Sequence, residues 1–254
     1  AAVSCSDYGG TDFDPHTTCG DELHTLLNRV FQLAIEFELD LDFHVDENGN
    51  EESKGLLHIS TAAIRNNYKG QIVCGHCCSL AAQTAENLQI ILQAANRANI
   101  TIVSLPLVNQ WLQNRCEFGE KTPRRRGVPL LKEIATENIP ICLASDNIRD
   151  QFYGYGDLDM LEVFRLSVFI AHLDRPSLGD WPKAVTTTPA QAMGLGKTHG
   201  LLKEGGAADF VLFRGRQYSE LFSRSQHDRL VIRNGQWIAA TVPHYDELDP
   251  ILNQ

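Results

Sequence analysis

Residues 39–47 read Leu-Asp-Leu-Asp-Phe-His-Val-Asp-Glu, a run that ends in three ionisable side chains around one valine. Apolar and polar side chains alternate strictly along it, which predicts a β-strand with two different faces. His44 shares the polar face with Asp42 and Asp46, near the point where the apolar run ends. Glu47 follows three residues after the histidine, so the sequence brings an imidazole and a carboxylate to one strand end.

The same arrangement recurs twice further along the chain. An apolar run at 71–74 is followed by Gly75-His76, and a run at 139–144 is followed by Ser145-Asp146-Asn147. Histidine and aspartate serve both as metal ligands and as proton-transfer groups. A (β/α)8 barrel carries its chemistry at the carboxyl-terminal ends of its strands, so these three strand ends predict an α/β-barrel hydrolase. No His-x-His pair occurs in the sequence, so the predicted metal site is incomplete in these residues.

Helical and strand patterns alternate along the first two thirds of the chain. Helices are predicted at 21–37, 55–66, 82–98, 128–137, 159–172 and 186–194. Strands are predicted at 39–43, 70–75, 100–105 and 139–144, with a short one at 1–5. Strands that alternate with helices of ten or more residues are typical of βαβ units and a parallel sheet. The stretch from 106 to 126 is predicted to be a loop.

The pattern changes after residue 180, where short strand-like runs lie among turns. Residues 205–213 end in an apolar run, and residues 230–238 have the pattern of a β-hairpin. Asn234-Gly235 at its centre is the favoured two-residue turn. A small β element is therefore predicted to follow the parallel sheet.

Composition and charge exclude several kinds of function. The chain has 254 residues and a net charge of −10, which argues against a nucleic-acid partner because phosphate binding needs a basic surface. The one basic cluster, Arg124-Arg125-Arg126, is interpreted as a solvated loop, with a phosphate site as the alternative. No run is long and apolar enough to predict a membrane span. A neutral or cationic small substrate fits this charge better than a polyanion.

The cysteines indicate the redox environment. There are seven, an odd number, which favours reduced thiols in a cytoplasmic protein over a disulfide framework. Cys74-x-x-Cys77 has the spacing of a redox or zinc motif, but no second such pair follows it. We interpret these thiols as buried structural residues.

In their order and at their strand ends, the motifs resemble the amidohydrolase superfamily, and within it the cytosine deaminase-like branch. The resemblance covers roughly residues 20–240. It starts with His44-Val-Asp-Glu47 and Gly75-His76. It continues through Pro106-Leu-Val-Asn109, Leu112-Gln-Asn-Arg115, Arg125-Arg-Gly127, Ser145-Asp-Asn-Ile-Arg-Asp150, Tyr155-Gly156, Asp159-Met160 and Gly205-x-x-Ala208-Asp209.

The resemblance implies an α/β fold: the C-terminal part of a metal-dependent (β/α)8 TIM barrel, followed by a small β-sandwich element. Residues 1–180 are expected to form the barrel from its fourth or fifth strand onward. Residues 181–254 are expected to form a helix and the β-sandwich return segment. If Asp146 ends the eighth strand, counting backward places His44 on the fifth. The first three strands and the family's His-x-His are then expected before Ala1, in the same chain or in another.

The resemblance also implies roles for individual side chains. His44 and Asp146 match two ligands of one divalent metal, Fe2+ or Zn2+, which imidazole and carboxylate suit. Asp146 is further expected to accept a proton from the attacking water, and His76 to orient that water or help to deprotonate it. Glu47 is expected to protonate the substrate ring and then to carry a proton to the departing amine.

Four further residues are expected to contact the substrate. Phe152 aligns with an aromatic residue that stacks on the pyrimidine in the family, and Asn147 aligns with a position that faces the substrate. Asn109 and Gln113 are candidate hydrogen-bond donors in the pocket, or they shape the loop after the seventh strand. Loop packing is the alternative for Phe152.

The predicted function is hydrolytic deamination of a cyclic amidine in a small pyrimidine-like base, with release of ammonia. Typical cytosine deaminases carry a second acid where this chain has Asn147, so an s-triazine N-alkylamino hydrolase is one alternative. The other is a catalytically incomplete fragment that acts as an interaction module, because half a barrel exposes strand edges that pair with other chains. A homo-oligomer is also compatible with the sequence.

Overall fold

The structure, a computed structural model, describes residues 2–5, 19–115, 121–239 and 243–252. Five parallel strands form one sheet in chain order: β1 (Ala2–Cys5), β2 (Leu41–Val45), β3 (Ile72–His76), β4 (Ile100–Ser104) and β5 (Ile141–Leu143). The helices that connect or follow them are α1 (Cys19–Glu36), α2 (Gly55–Arg65), α3 (Ala85–Arg97), α4 (Pro106–Leu112), α5 (Leu131–Thr136), α6 (Met160–Ala171) and α7 (Thr187–Ala192). Sequential parallel strands joined through helices confirm the predicted α/β architecture.

The predicted elements are present, with their ends shifted by a few residues and with one clear error. The stretch predicted as a loop from 106 to 126 begins with α4, which runs from Pro106 to Leu112. Proline lacks a backbone N–H, but the first turn of a helix has no intrahelical acceptor for that group, so Pro106 starts the helix instead of breaking it. The apolar residues that follow, Leu107 and Val108, are buried and hold the helix in place.

The two faces of the sheet have different environments. On β2, Phe43 and Val45 are fully buried against the helices, together with Phe31 of α1 and Ile59 of α2. His44 points to the other face, in register with Gly75 of β3. Strand alternation therefore separates an apolar face, which packs on helices, from an opposite face that carries the histidine.

The loop after β2 is fixed to the start of α2 by one carboxylate. Asp46 is 7% exposed and accepts hydrogen bonds from the backbone N–H groups of Gly55 and Leu56, each at 3.0 Å. A Cβ at Gly55 would lie 2.6 Å from Asp46 Oδ1, so only glycine permits this approach. The sequence placed Asp46 on the face of His44. The structure instead gives it a left-handed backbone, with φ +53°, and turns its side chain to the helix.

We expect Asp46→Ala to lower the free energy of unfolding of the complete protein by about 1–3 kcal/mol, because one buried and one part-buried helix N–H group lose their acceptor. Urea unfolding measures this change. Glu51→Ala is the control, because its exposed side chain lies in the same loop, and surface changes of this kind stay within about 0.5 kcal/mol. Equal stability of the two variants would show that the Asp46 cap contributes nothing.

The C-terminal part contains a three-stranded antiparallel sheet of β6 (Phe210–Leu212), β7 (Leu230–Arg233) and β8 (Gln236–Ile238). This confirms the predicted β element and its hairpin at Asn234-Gly235. The short helices α8 (Tyr218–Leu221) and α9 (Asp249–Leu252) complete it. Arg229 next to β7 forms a bidentate ion pair with Asp159, the N-cap residue of α6. The predicted division at residue 180 stays a prediction. Helix α7, which lies after that residue, packs against β5 of the parallel sheet. Within the described residues, no helix is long and apolar enough to span a membrane.

Candidate active site

Four of the predicted site residues come together at the carboxyl-terminal edge of the parallel sheet. His44 lies on β2 and Glu47 lies two residues beyond the end of that strand. His76 is the last residue of β3, and Asp146 follows β5 after a gap of two residues. Because the strands are parallel, these ends meet at the same edge, as the sequence predicted.

Left-handed backbone at two of these positions turns the side chains toward one another. The values of φ are +71° at His76 and +65° at Asp146, a region that residues other than glycine rarely adopt. In the strand register His76 is paired with Val45, so regular alternation would point its ring toward the helices. Its ring centroid instead lies 4.0 Å from that of His44. Unusual backbone of this kind is enriched at functional sites.

Glu47 is the centre of the cluster. Its Oε2 lies 2.9 Å from Nε2 of His44, and its Oε1 lies 3.4 Å from Nδ1 of His76. The Glu47 side chain is only 9% exposed, while that of His44 is 30% exposed. One carboxylate thus contacts both imidazoles from a largely buried position, with His44 as the more open side.

Asn109, on α4, determines which nitrogen of His76 carries the proton. Its Nδ2 lies 3.0 Å from Glu47 Oε1 and 2.9 Å from His76 Nδ1. A carboxylate only accepts hydrogen bonds, so the amide must present its nitrogen to Glu47. His76 Nδ1 is then an acceptor, and the proton lies on Nε2, which is 4.0 Å from Asp146 Oδ2.

Burial shifts the pKa values of His76 and Asp146 in this cluster. Burial lowers the pKa of His76 to about 4, an effect that Glu47 partly offsets and His44 reinforces, so the ring is neutral at pH 7. Burial also raises the pKa of Asp146, with the like charge of Glu47 adding to the effect. Asp146 as a whole residue is exposed, but its side chain is only 25% exposed.

The residues predicted to contact substrate form hydrogen bonds within the protein that the sequence does not reveal. Asn147 donates a hydrogen bond from Nδ2 to Asp150, and Asp150 also accepts from the backbone N–H groups of Phe152 and Tyr153, each at 2.9 Å. Phe152 is 39% exposed in this turn. Gln113 donates from Nε2 to the carbonyl oxygen of Glu47 at 3.0 Å. The predicted contacts of these residues with substrate stay predictions.

Sequence reasoning missed three features of this edge. The sequence does not reveal the cap formed by Asp46. Arg125 is exposed, as the solvated-loop interpretation predicts, but the sequence does not show that its Nη1 donates to the carbonyl of Gly49 at 2.7 Å. Trp111 and Tyr155 form an edge-to-face pair with ring centroids 5.0 Å apart. This pair could have been expected from the sequence, because Trp111 follows β4 and Tyr155 follows β5, and the ends of neighbouring parallel strands lie close together. Within the described residues, the free cysteines Cys74, Cys77, Cys78 and Cys142 are buried, which confirms the structural interpretation of the Cys74-x-x-Cys77 pair.

The donor atoms of the cluster suit a divalent metal. One ligand atom from each of His44, Glu47 and His76 lies within 4.8 Å of the others, and this is the compact group found among the described residues. Asp146, which the resemblance predicts as the second ligand, is not part of this compact group; its Oδ2 lies 4.0 Å from Nε2 of His76. Imidazole nitrogens with carboxylate oxygens are the donor set that Zn2+ and Fe2+ accept. The residues present therefore fit the predicted metal, without distinguishing between the two ions.

A family profile described as "Amidohydrolase family" matches residues 9–239, which is most of the chain. The chain belongs to the amidohydrolase family. The match confirms the resemblance that the strand-end motifs indicated. It also places the clustered residues 44–47, 76 and 146 inside the matched region.

This amidohydrolase is similar in sequence to two named relatives. A pterin deaminase from Rhizobium rhizogenes (strain K84) is 43% identical over 236 residues, which cover 93% of this chain and 53% of the relative. An N-isopropylammelide isopropyl amidohydrolase from Pseudomonas sp. (strain ADP) is 24% identical over 237 residues, 93% of this chain and 54% of the relative. The chain spans about half the length of the relatives it matches.

The solved structures support the fold. A 5-methylcytosine deaminase from Klebsiella pneumoniae superposes with a TM-score of 0.76 at 24% identity, covering 88% of this chain and 54% of that one. An N-isopropylammelide isopropylaminohydrolase from Burkholderia multivorans gives 0.68 at 19% identity, covering 87% and 53%. At these identities the likeness concerns the fold, and it confirms part of an amidohydrolase (β/α)8 barrel with an appended antiparallel sheet.

Proposed function

We propose that this amidohydrolase chain carries the proton-transfer half of a metal-dependent deaminase that acts on a nitrogen heterocycle. The observation that carries the proposal is the cluster of His44, Glu47 and His76, with Asp146 beside it, at three neighbouring strand ends. Such a cluster on an amidohydrolase barrel suits hydrolysis of a carbon–nitrogen bond. The relatives that match most of this chain are named as enzymes of that reaction type.

The reaction adds water and releases ammonia. The water oxygen forms a bond to the ring carbon that bears the amino group, the bond from that carbon to the amino nitrogen breaks, and the nitrogen leaves as ammonia after gaining a proton. An amino group is a poor leaving group, so the site must move protons as well as activate water. When bound, a divalent metal supplies water whose pKa is lowered toward 7, and His44 and Asp146 would hold it.

The side chains divide the proton transfers between them. Asp146, with its pKa raised by burial, accepts the proton that the attacking water loses. The neutral His76 directs its Nε2–H toward the Asp146 side of the site and orients the water. The proton that Asp146 takes from the water passes to Glu47, which gives it to a ring nitrogen. Glu47 then takes the remaining proton of the added hydroxyl group and delivers it to the departing amine, so both carboxylates end the cycle as they began it. Glu47 contacts both histidines, which holds its carboxylate in place for these two transfers.

For the substrate we propose a base whose amino group lies on an amidine carbon between ring nitrogens. The 43% identity to a pterin deaminase supports a fused ring of the pterin type. Cytosine, indicated by the sequence motifs, also carries its amino group on an amidine carbon, N=C–NH2, but that carbon has one ring nitrogen as its neighbour and belongs to a smaller ring. The alternative of an s-triazine N-alkylamino hydrolase is supported by the two N-isopropylammelide relatives, at lower identity.

The open sheet suggests how the site is completed. β1 and β5 are the edges of the five-stranded sheet, while a (β/α)8 barrel has eight strands and no edges. We propose that three further strands, with the family's His-x-His, complete the barrel in the same chain or from a partner chain. The buried free cysteines support a reducing, cytoplasmic location.

An ammonia-release screen of the complete protein tests the proposed function. We expect pterin to be the best of a panel that also holds cytosine, 5-methylcytosine, isoguanine, creatinine and aminotriazines, because the relative named for pterin is 43% identical. Coupled detection of ammonia and the ultraviolet spectrum of each base provide two independent readouts. Release of an alkylamine from an N-alkyl triazine, without ammonia from the other bases, would support the triazine alternative.

Metal content separates the enzyme from an interaction module. We expect one divalent ion per chain after anaerobic preparation of the complete protein. A metal-free protein that releases neither ammonia nor amine from any member of the panel would contradict the proposed function.

A further inference from the structure

Helix α4 carries Asn109, and Gln113 directly follows its last residue; both amide side chains point at Glu47. The Asn109 side chain is fully buried, and its Nδ2 contacts both Glu47 Oε1 and His76 Nδ1 at 3.0 Å and 2.9 Å. One turn later, Gln113 Nε2 lies 3.0 Å from the main-chain oxygen of Glu47. The helix therefore holds the carboxylate and the backbone of the same residue.

The amide of Asn109 has one productive orientation. Rotating it by 180° would place Oδ1 about 3 Å from the Glu47 carboxylate, where two acceptors repel. Its Oδ1 is buried without a hydrogen-bond partner among the described residues, so the rotated Nδ2 would be unsatisfied there as well. The geometry thus fixes Nδ2 as a donor to Glu47 and His76 together.

The segment after α4 also contacts the loop that contains Glu47. Arg125 donates to the carbonyl of Gly49, two residues beyond Glu47, at 2.7 Å. Gly127 packs so closely on α4 that a Cβ there would lie 1.9 Å from Gln113 Cγ and 3.1 Å from the carbonyl of Asn109. Only glycine lets this segment cover Gln113, which keeps the side chain directed at Glu47.

We infer that Asn109 and Gln113 are positioning residues and not substrate contacts. Asn109 orients the Glu47 carboxylate and holds His76 in the tautomer with its proton on Nε2, while Gln113 fixes the Glu47 backbone. The structural part of this inference stands on the contacts alone, and its effect on turnover rests on the proposed function. The Pro106–Arg126 stretch, predicted as a loop, would then hold Glu47 in position.

We expect Asn109→Ala in the complete, metal-loaded protein to lower kcat roughly 10- to 100-fold, the range for residues that orient a catalytic group, with KM changed less than about threefold. Metal content should be unchanged. Asn66→Ala is the matched control, because Asn66 Nδ2 also makes two hydrogen bonds, to Asn28 Oδ1 and the Ala62 carbonyl, away from the site. It should lower Tm to a similar degree and keep kcat.

A double variant distinguishes action through Glu47 from direct contact with substrate. In a Glu47→Gln background, Asn109→Ala should lower kcat by less than about tenfold, because the group that it orients is already gone. A substrate contact would instead raise KM in both backgrounds. A kcat within twofold of the wild type, or a loss expressed in KM alone, would overturn the inference.

Two further measurements keep the inference testable if Asn109→Ala folds poorly or if no substrate is turned over. Gln113→Glu is nearly isosteric and lacks the Nε2 donor, so it should lower kcat about tenfold with the metal retained. The 15N NMR spectrum of the histidines reads the His76 tautomer without turnover. We expect Nε2–H in the wild type and a mixture of tautomers in Asn109→Ala. Identical His76 tautomers in the two proteins would overturn the positioning role, whatever the screen shows for the proposed function.

Discussion

Replacing Glu47 by glutamine in the complete protein is expected to lower kcat by a factor of roughly 10² to 10⁴, the usual contribution of a general acid–base group. Glutamine keeps the size of the side chain and can still accept the hydrogen bond from Asn109 Nδ2. It cannot take up and release a proton at pH 7. The loss should therefore appear in kcat with little change in KM, which corresponds to about 3–5 kcal/mol of transition-state stabilisation.

Metal content decides what a loss in Glu47→Gln means. The Glu47 carboxylate lies within 4.8 Å of both histidine ligand atoms, so it is near enough to be a ligand as well as a proton carrier. If Glu47 is a proton carrier, the variant should keep its full metal content and lose turnover. If Glu47 is a metal ligand, both metal content and turnover should decline. Glu52→Gln, an exposed change in the same loop, is the control and should keep both. Near wild-type ammonia release from Glu47→Gln would refute the proton-transfer role.

The architecture could be predicted from the sequence because its signals are local. Alternation in 39–47 and helical spacing in the segments between strands depend on neighbouring residues, and both patterns were found as strands and helices. The error at α4 has a local cause as well. Pro106 is compatible with either a loop or the first turn of a helix, and the choice depends on the burial of Leu107 and Val108 in the folded protein.

The candidate site could be predicted only in part. Strand ends identified His44, Glu47, His76 and Asp146, since parallel strands bring these positions to one edge. Their side-chain directions could not be predicted, because regular alternation would turn His76 toward the helices and left-handed backbone reverses this. The partners of Asn109 lie 33 and 62 residues away in sequence, so only the folded structure shows which groups its amide joins.

His44→Ala is expected to remove the metal and with it the turnover of the complete protein. Changes in residues that only orient a ligand weaken metal binding about 10- to 100-fold, so loss of an imidazole ligand should exceed that range. It also leaves Glu47 without its 2.9 Å partner, so the carboxylate can no longer be held between two histidines.

Metal per chain after dialysis against a mild chelator is the measurement that tests His44→Ala, with Tm recorded alongside. His58→Ala is the matched control, because His58 is also half-buried but packs against His24 on the helical layer. We expect the control to keep one metal ion and its turnover. Added imidazole should restore part of the metal and activity of His44→Ala if the missing group is a ligand, since free imidazole supplies the same nitrogen donor. A His44→Ala protein that keeps one metal ion per chain would show that the metal is held without the imidazole of His44. The assignment of His44 as a ligand would then be wrong. The proton-transfer role of Glu47 would be unaffected, because the Glu47→Gln variant tests it separately.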